Sequence, residues 1–296
     1  MLSTAPSSTP LVSVIVPCYK MGRFLEGALH AVAAQTYPHW EVLVVDDAGP
    51  EDGSAAIVEA FAHEQTDHRV VFTRHEKNQG VSAARNTAIR AAKGQLLALL
   101  DPDDLWLPDH LASRVDAFLK DPEVVLASAP SWVFDNDPDV RHPVPEFFCD
   151  WERQQFPYSL ALRNGLPTSS VVLHRERIPS DLEFDTTLHG TEDWDLWFRL
   201  MKAGLKFHLG DTPTTLYRKH ASATTNQGEK LRIQLQALGR KHGLELFEYQ
   251  WVANIHLSYL ARTHEEQIRA LIDKTNTPGL PARVLRRIRR LMGKAR

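Results

Sequence analysis

An α/β fold built on a mostly parallel sheet is predicted by three observations. Short apolar runs rich in Val, Ile and Leu recur between residues 12 and 100; segments of helical period separate them; and several runs end in turns that carry carboxylates. Apolar runs without polar alternation are those of strands buried on both faces. The intervening helices supply the crossovers that parallel pairing needs. Ligands of such sheets bind beyond the C-terminal ends of the strands.

The elements follow in order. Val12-Ser13-Val14-Ile15-Val16-Pro17 reads as a strand, and Phe24 to Gln35 as a helix with Leu25, Leu29 and Val32 on one face. Glu41 to Val45 is a second buried strand, ending at Asp46-Asp47. Ser54 to His63 is helical, Arg69 to Phe72 is a third strand, and Val81 to Ala92 is an Ala-rich helix with Gly94 at a plausible C′ position. Leu96 to Leu100 is a fourth strand; Leu107-Pro108-Asp109 opens another helix, with Pro suited to its first turn. Beyond this the pattern is less regular. Val124 to Ala129, Ser170 to Leu173 and Thr214 to Arg218 read as strands, and Phe134 to Glu146 as a Pro-rich loop. Asp193 to Ala203 is an amphipathic helix closed by Gly204. Residues 229–275 read as helices and 279–296 as a terminal amphipathic helix. The expected division is a catalytic domain over 1–222 and a helical extension over 223–296.

Composition sets the class. The chain has 296 residues, 43% hydrophobic and 24% charged, with a formal net charge of −3. Residues 279–296 hold seven basic side chains and no acid, so the body is more acidic than the net charge indicates. An acidic body argues against nucleic acid as a partner. The two cysteines make no framework or metal spacing. The start of the chain has neither the basic nor the apolar region of a signal peptide, and no apolar run is long enough to span a bilayer. The expected location is cytoplasmic, with any membrane contact peripheral.

The most informative segment is Leu96-Leu97-Ala98-Leu99-Leu100-Asp101-Pro102-Asp103-Asp104. An apolar strand ends in three carboxylates separated by one proline. Such charges repel, so holding them together is costly without a cation. Hard oxygen donors suit Mg²⁺ or Mn²⁺, which sit on one or two carboxylates plus substrate phosphates. The plainer alternative is an acidic turn in which Asp103 caps the next helix.

Further motifs lie in order along the chain. They are Val16-Pro17-Cys18-Tyr19-Lys20, Gln35-Thr36-Tyr37, Val44-Val45-Asp46-Asp47-Ala48-Gly49, Asn78-Gln79-Gly80-Val81-Ser82-Ala83-Ala84-Arg85-Asn86, Leu100 to Asp104, and Glu192-Asp193. Together, over residues 11–222, they resemble the family 2 glycosyltransferases, which have the GT-A fold: V-P-x-Y-N, V-V-D-D-G-S, N-x-G-x-x-x-A-R-N, D-x-D-D and an E-D pair before a helix. Lys20 replaces the usual Asn. The resemblance implies transfer of a sugar from a nucleoside diphosphate sugar, with a UDP-sugar favoured, to a glycan or lipid-linked acceptor.

The resemblance assigns roles. Asp104 is expected to bind Mn²⁺ or Mg²⁺ directly, with Asp103 contacting ribose or supporting the metal, and Asp101 read equally as a turn carboxylate. A metal bridging the diphosphate stabilises the leaving group. Asp47 is expected to accept the N–H of a uracil-like ring, with an Asx-turn as its alternative; Asp46 is read as structural. Pro17 and Tyr19 are expected to flank the base, and Arg85 to reach the nucleotide or diphosphate. Asp193 is the expected general base, its pKa raised by the bulk of Trp194, Leu196, Trp197 and Phe198. Glu192 either touches the acceptor or bonds locally; both acids also suit a helix N-terminus. His220 is expected to complete the metal or phosphate site, with a surface position as the alternative; His189 is a weaker candidate. A single base gives direct displacement and inversion.

In the terminal segment Val284, Leu285, Ile288, Leu291 and Met292 share one helical face, and Arg283, Arg286, Arg287, Arg290 and Lys294 the other. That fits an interfacial helix on an anionic membrane. Packing on the catalytic domain or on an oligomer partner is the alternative. Two other functional classes are weighed: a nucleotidyltransferase, disfavoured because no Gly-rich, Arg-containing loop follows the first strand, and a catalytically silent sugar-nucleotide-binding scaffold.

Overall fold

The computed structural model describes residues 9–143, 156–161, 164–179, 183–219 and 228–242. His220, the terminal segment 279–296 and most of the helical stretch expected over 229–275 lie outside them. The first half alternates as expected: β1 (Val12–Cys18), α1 (Gly22–Ala33), β2 (Trp40–Asp46), α2 (Ser54–Glu64), β3 (Val70–Arg74), α3 (Val81–Ala91) and β4 (Leu96–Leu99). Then come β5 (Leu105–Trp106), α4 (His110–Lys120), β6 (Val124–Ser128), β7 (Ser131–Phe134), β8 (Arg141–Pro143), β9 (Val172–His174), α5 (Glu192–Lys202), β10 (Lys206–Leu209), β11 (Thr215–Arg218) and α6 (Gly228–Lys241).

Seven strands form the central sheet in the order β10-β6-β9-β4-β1-β2-β3. Every pairing is parallel except those of β9, which runs antiparallel to both β4 and β6. Residues of β1 alternate between two cores. Val12, Val14 and Val16 pack with Leu25 and Leu29 of α1; Ile15 packs in a second cluster with Ala84 and Ala88 of α3. Both faces are therefore covered, which is why the strands read as unbroken apolar runs. Pro17 lies past the last residue of β1 that pairs with β4, so its missing N–H breaks no bond on that side.

Reversal of β9 has a local effect. Its first residue, Val172, sits opposite Ala98 near the end of β4. The chain entering β9, rather than leaving it, therefore stands at the sheet edge where Asp101 to Asp104 begin. A second, smaller sheet of order β5-β11-β7-β8 covers this edge, with Arg218 at the end of β11.

Two expectations and one alternative are corrected. The segment 134–146 is not all loop: β8 pairs with β7. It is a three-residue strand at the sheet margin that includes Pro143, and Pro is tolerated there, so composition hid it. Gly94 is not a left-handed helix stop. A Cβ there would lie 2.6 Å from Leu11 O and 2.7 Å from Ser13 N, so glycine is required for close approach. Its N–H donates to Ser13 Oγ and to Glu41, a buried carboxylate also bonded by Ser13 Oγ, the Lys93 N–H and Arg69. Asp103 is not a helix cap, because α4 starts at His110 after Asp109.

By internal contacts the chain divides into two units, Met1–Leu231 and Arg232–Arg296; the sequence expectation put this boundary at residue 222.

Candidate active site

The acidic loop after β4 is held from both sides. Asp104 is 2% exposed. Its Oδ2 accepts from Ser169 Oγ at 2.5 Å and its Oδ1 from the Arg218 N–H at 2.9 Å. The Asp101 N–H donates to Ser169 Oγ at 3.0 Å, and Arg218 Nε donates to Asp103 O at 2.8 Å. The Arg218 guanidinium lies between the Phe24 and Phe134 rings, 4.9 and 4.3 Å from their centroids. Burial, then the nearby Asp103 and Asp101 charges, push the Asp104 pKa well above the ordinary carboxylate value. Asp104 therefore anchors the loop through both carboxylate oxygens. Asp101 and Asp103 keep partial exposure. Three crowded carboxylates with only oxygen donors fit a hard divalent cation, whose charge would relieve the repulsion. Among the described residues no three His, Cys, Asp or Glu side chains converge as a metal cage.

Arg85 ties this loop to the start of α5. Its guanidinium donates to Asp101 Oδ1 at 2.7 Å and to Glu192 Oε1 at 2.8 Å. Burial opposes the cation, but the Asp101 and Glu192 charges outweigh it and raise the Arg85 pKa. Glu192, 5% exposed, also accepts the Gly190 N–H at 2.5 Å. Both residues are thus committed within the protein. For Glu192 this is the local bonding held as one of its two readings. The neighbouring Asn86 exchanges two hydrogen bonds with the Phe184 backbone. Arg85 and Asn86 together fasten α3 to the segment leading into α5.

Asp193 is different. It keeps partial exposure at the start of α5. Its Oδ2 accepts from Asn164 Nδ2 at 2.8 Å and Thr168 Oγ1 at 3.0 Å; its Oδ1 accepts the Trp194 N–H at 2.6 Å. Burial, then the Glu192 charge, push its pKa up to about 6. A carboxylate with that proton affinity, reachable by solvent, can take a proton from a hydroxyl near neutral pH.

The ends of β1 and β2 form the remaining margin. Asp46 is structural, as expected: it accepts the Gly49 N–H at 3.0 Å and Arg74 Nη1 at 2.6 Å. Asp47, 2% exposed, accepts the Gln79 N–H at 2.9 Å, the Gly80 N–H at 2.6 Å and a contact from His75 Nδ1 at 2.7 Å. It clamps the loop before α3. Gly80 has φ of 91°, and a Cβ there would lie 3.4 Å from the His189 ring. Tyr19 is 40% exposed, its ring beside Gly49 and under Lys20 Nζ. That leaves an aromatic surface at the sheet edge. Lys20 and Ala48 have φ of 60° and 55°.

Sequence reasoning missed Thr168, Ser169, Asn164, Asn86 and Arg218. The signal present was the run Thr168-Ser169-Ser170 at the entry to an apolar strand, where hydroxyls gain nothing from burial unless bonded.

An acidic loop at the C-terminal edge of a mostly parallel sheet, with a solvent-reached carboxylate opposite, defines a glycosyltransferase of the GT-A fold. The chain belongs to the glycosyl transferase family 2, whose model matches residues 13–175. It is 27% identical over 233 residues to the Escherichia coli protein named UDP-Glc:alpha-D-GlcNAc-diphosphoundecaprenol beta-1,3-glucosyltransferase WfgD, covering 77% of this chain and 85% of that one. It is 38% identical over 111 residues to TuaG of Bacillus subtilis, a protein named for teichuronic acid biosynthesis; that match covers 38% of this chain and only 43% of TuaG. Among solved structures it resembles the mannosyltransferase PcManGT from Pyrobaculum calidifontis in complex with GDP-Man and Mn²⁺, with TM-score 0.60, 21% identity and coverage of 93% and 82%. It also resembles TarS 1-349 of S. aureus in complex with UDP-GlcNAc, with TM-score 0.57, 18% identity and coverage of 89% and 79%. At these identities the structural likeness speaks to the fold. Among the described residues no helix is long and apolar enough to cross a membrane.

Proposed function

We propose that this protein is an inverting glycosyltransferase. It moves a sugar from a nucleoside diphosphate sugar, UDP favoured, to a hydroxyl of a glycan or lipid-linked acceptor. One observation carries the reading. A partly exposed carboxylate with a pKa of about 6 is bonded to one residue of a turn whose next residue is bonded to the acidic loop. A proton acceptor and an anion-crowded loop are thus neighbours, as in-line displacement requires. WfgD, named for UDP-Glc and a lipid-diphosphate-linked acceptor, supports the donor and acceptor classes. The PcManGT complex supports a divalent ion.

In this reading the carboxylates of the acidic loop, Asp104 with Asp101 and Asp103, would hold the cation, and Ser169 and Arg218 fix the loop. When bound, Mn²⁺ or Mg²⁺ supplies positive charge against the departing diphosphate. Tyr19 offers its ring to the base. Asp193 Oδ1 or Oδ2 takes the acceptor proton as the hydroxyl attacks the anomeric carbon from the face opposite the leaving group. Contact of the basic segment 279–296 with an anionic membrane is part of the proposal, on charge pattern alone.

Asp193→Asn tests the reading. The variant should bind UDP with Mn²⁺ like the wild type and lose about 10²–10⁴-fold in transfer rate. Proton NMR of the product should show the anomeric configuration inverted. Retained configuration, or near-normal turnover by the variant, would overturn it.

A further inference from the structure

The short 3-10 turn Thr168–Ser170 carries three hydroxyls, and each is committed to a different neighbour. Thr168 Oγ1 donates to Asp193 Oδ2 at 3.0 Å. Ser169 Oγ donates to Asp104 Oδ2 at 2.5 Å and accepts the Asp101 N–H at 3.0 Å. Ser170 Oγ donates to Pro167 O at 2.7 Å and lies 2.6 Å from Ser128 Oγ. None of the three residues is more than 9% exposed. A buried hydroxyl is unfavourable unless bonded, so these partners explain why the turn is not apolar.

The backbone of the turn is also held. Trp106 Nε1 donates to Ser169 O at 2.7 Å, and Arg114 Nε donates to Ser170 O at 3.1 Å. Strand β9 follows at once, paired on both sides. The turn is fixed from three directions before its side chains touch either carboxylate. Its two outward bonds go to the proton acceptor and to the acidic loop, which belong to segments 89 residues apart in sequence (Asp104 and Asp193).

We propose that Thr168 and Ser169 are positioning residues that set the spacing and aim of the two halves of the reaction: Thr168, with Asn164, aims Asp193, and Ser169 fixes the acidic loop through Asp104 and Asp101. The roles given to those acids rest on the glycosyltransferase reading; the hydrogen bonds do not. A residue that merely filled the core would affect both halves together, by loosening the turn. A positioning residue affects the half it touches.

The two halves have separate readouts. The charges that face Asp193 are Glu192 on its own helix and Arg85 from α3, and the neutral donors are Asn164, Thr168 and the Trp194 N–H. Thr168→Val keeps the shape of the side chain and removes one donor to the ionised carboxyl. The experiment is a carbon-13 NMR titration of Asp-labelled protein, with calorimetry of UDP plus Mn²⁺ on the same samples. Thr168→Val should raise the Asp193 midpoint by about one unit, a tenfold change in proton affinity. It should move the acidic limb of the kcat–pH profile by the same amount and leave UDP–Mn²⁺ affinity within about twofold. Thr168→Ser should behave as wild type. Ser169→Ala should weaken UDP–Mn²⁺ binding about tenfold or more and leave the Asp193 midpoint in place.

Variants that shift both readouts together, or neither, overturn the proposal. If Thr168→Val does not fold, Asn164→Leu removes the other donor to Asp193 Oδ2 and must raise the same midpoint; no shift there also overturns it. A wild-type protein that binds no UDP with Mn²⁺ sinks the glycosyltransferase reading instead, and the Asp193 titration still decides the clamp.

Discussion

At the scale of single residues, the decisive property is which carboxylates remain reachable. The sequence contains an Asp pair at 46–47 and a D-x-D-D run at 101–104, and their number says nothing about which face solvent. The structure separates them: Asp46, Asp47 and Asp104 are buried anchors, and Asp193 is a partly exposed acid with a pKa of about 6. The sign of its pH effect follows. A general base acts when deprotonated, so kcat should be flat above about pH 7 and fall as pH drops through about 6. An initial-rate profile across pH 4.5–8.5 would show this limb, and the Asp193→Asn variant should lack it. A second residue-level outcome concerns Ala48, which occupies a left-handed backbone position with φ of 55° where the family pattern has Gly. That conformation costs a non-glycine residue roughly 1–2 kcal/mol. Part of any gain returns to the more flexible unfolded chain. Ala48→Gly should therefore stabilise the protein by about 0.5–1 kcal/mol, measurable by urea denaturation. The motif was legible here but the strain was not, since φ is set by the turn that Asp46 organises.

At the scale of elements, the first half of the chain was legible nearly residue by residue, because β1, β2 and β4 are buried throughout and helical segments separate the strands. Legibility falls where burial is one-sided. Strand β10 alternates exposed and half-buried residues, and β8 is three residues long at a margin, so neither announces itself. The ion pair of Arg85 with Glu192 was hidden for another reason. Their partnership spans 107 positions, and no local pattern encodes it. Arg85 is the joint between α3, the acidic loop and α5. Arg85→Met would leave Glu192 buried with only the Gly190 N–H, and Asp101 without its cation. Breaking a buried ion pair from one side costs about 3–5 kcal/mol. Asp101 is 28% exposed and can be hydrated, so the lower end, about 3 kcal/mol, is expected. Chemical denaturation would measure it, and a loss under 1 kcal/mol would show that the joint is dispensable.

At the scale of the whole molecule, fold class and family were readable from motif order alone, because the family pattern places its polar residues at strand ends and the sheet brings those ends to one edge. The tail is a matter of charge. Polybasic segments gain about 1 kcal/mol per basic residue near an anionic surface, and salt screens this. Deleting residues 279–296 should therefore abolish salt-sensitive co-sedimentation with anionic vesicles and leave UDP binding unchanged. Equal sedimentation of both forms would remove the tail as an anchor.

Reversed strand β9 has a consequence for synthesis of the chain. Until β9 is made, β4 is the open edge of a four-stranded sheet, β4-β1-β2-β3, and β6 has no partner linking it to that sheet. The edge in question is Leu96-Leu97-Ala98-Leu99, apolar and unprotected by any charge or proline. About 70 residues separate β4 from β9. At 5–20 residues per second a ribosome takes roughly 4–15 s to cover them. For that interval the nascent protein carries an unpaired apolar strand edge, and any ribosomal pause between residues 100 and 172 prolongs the exposure.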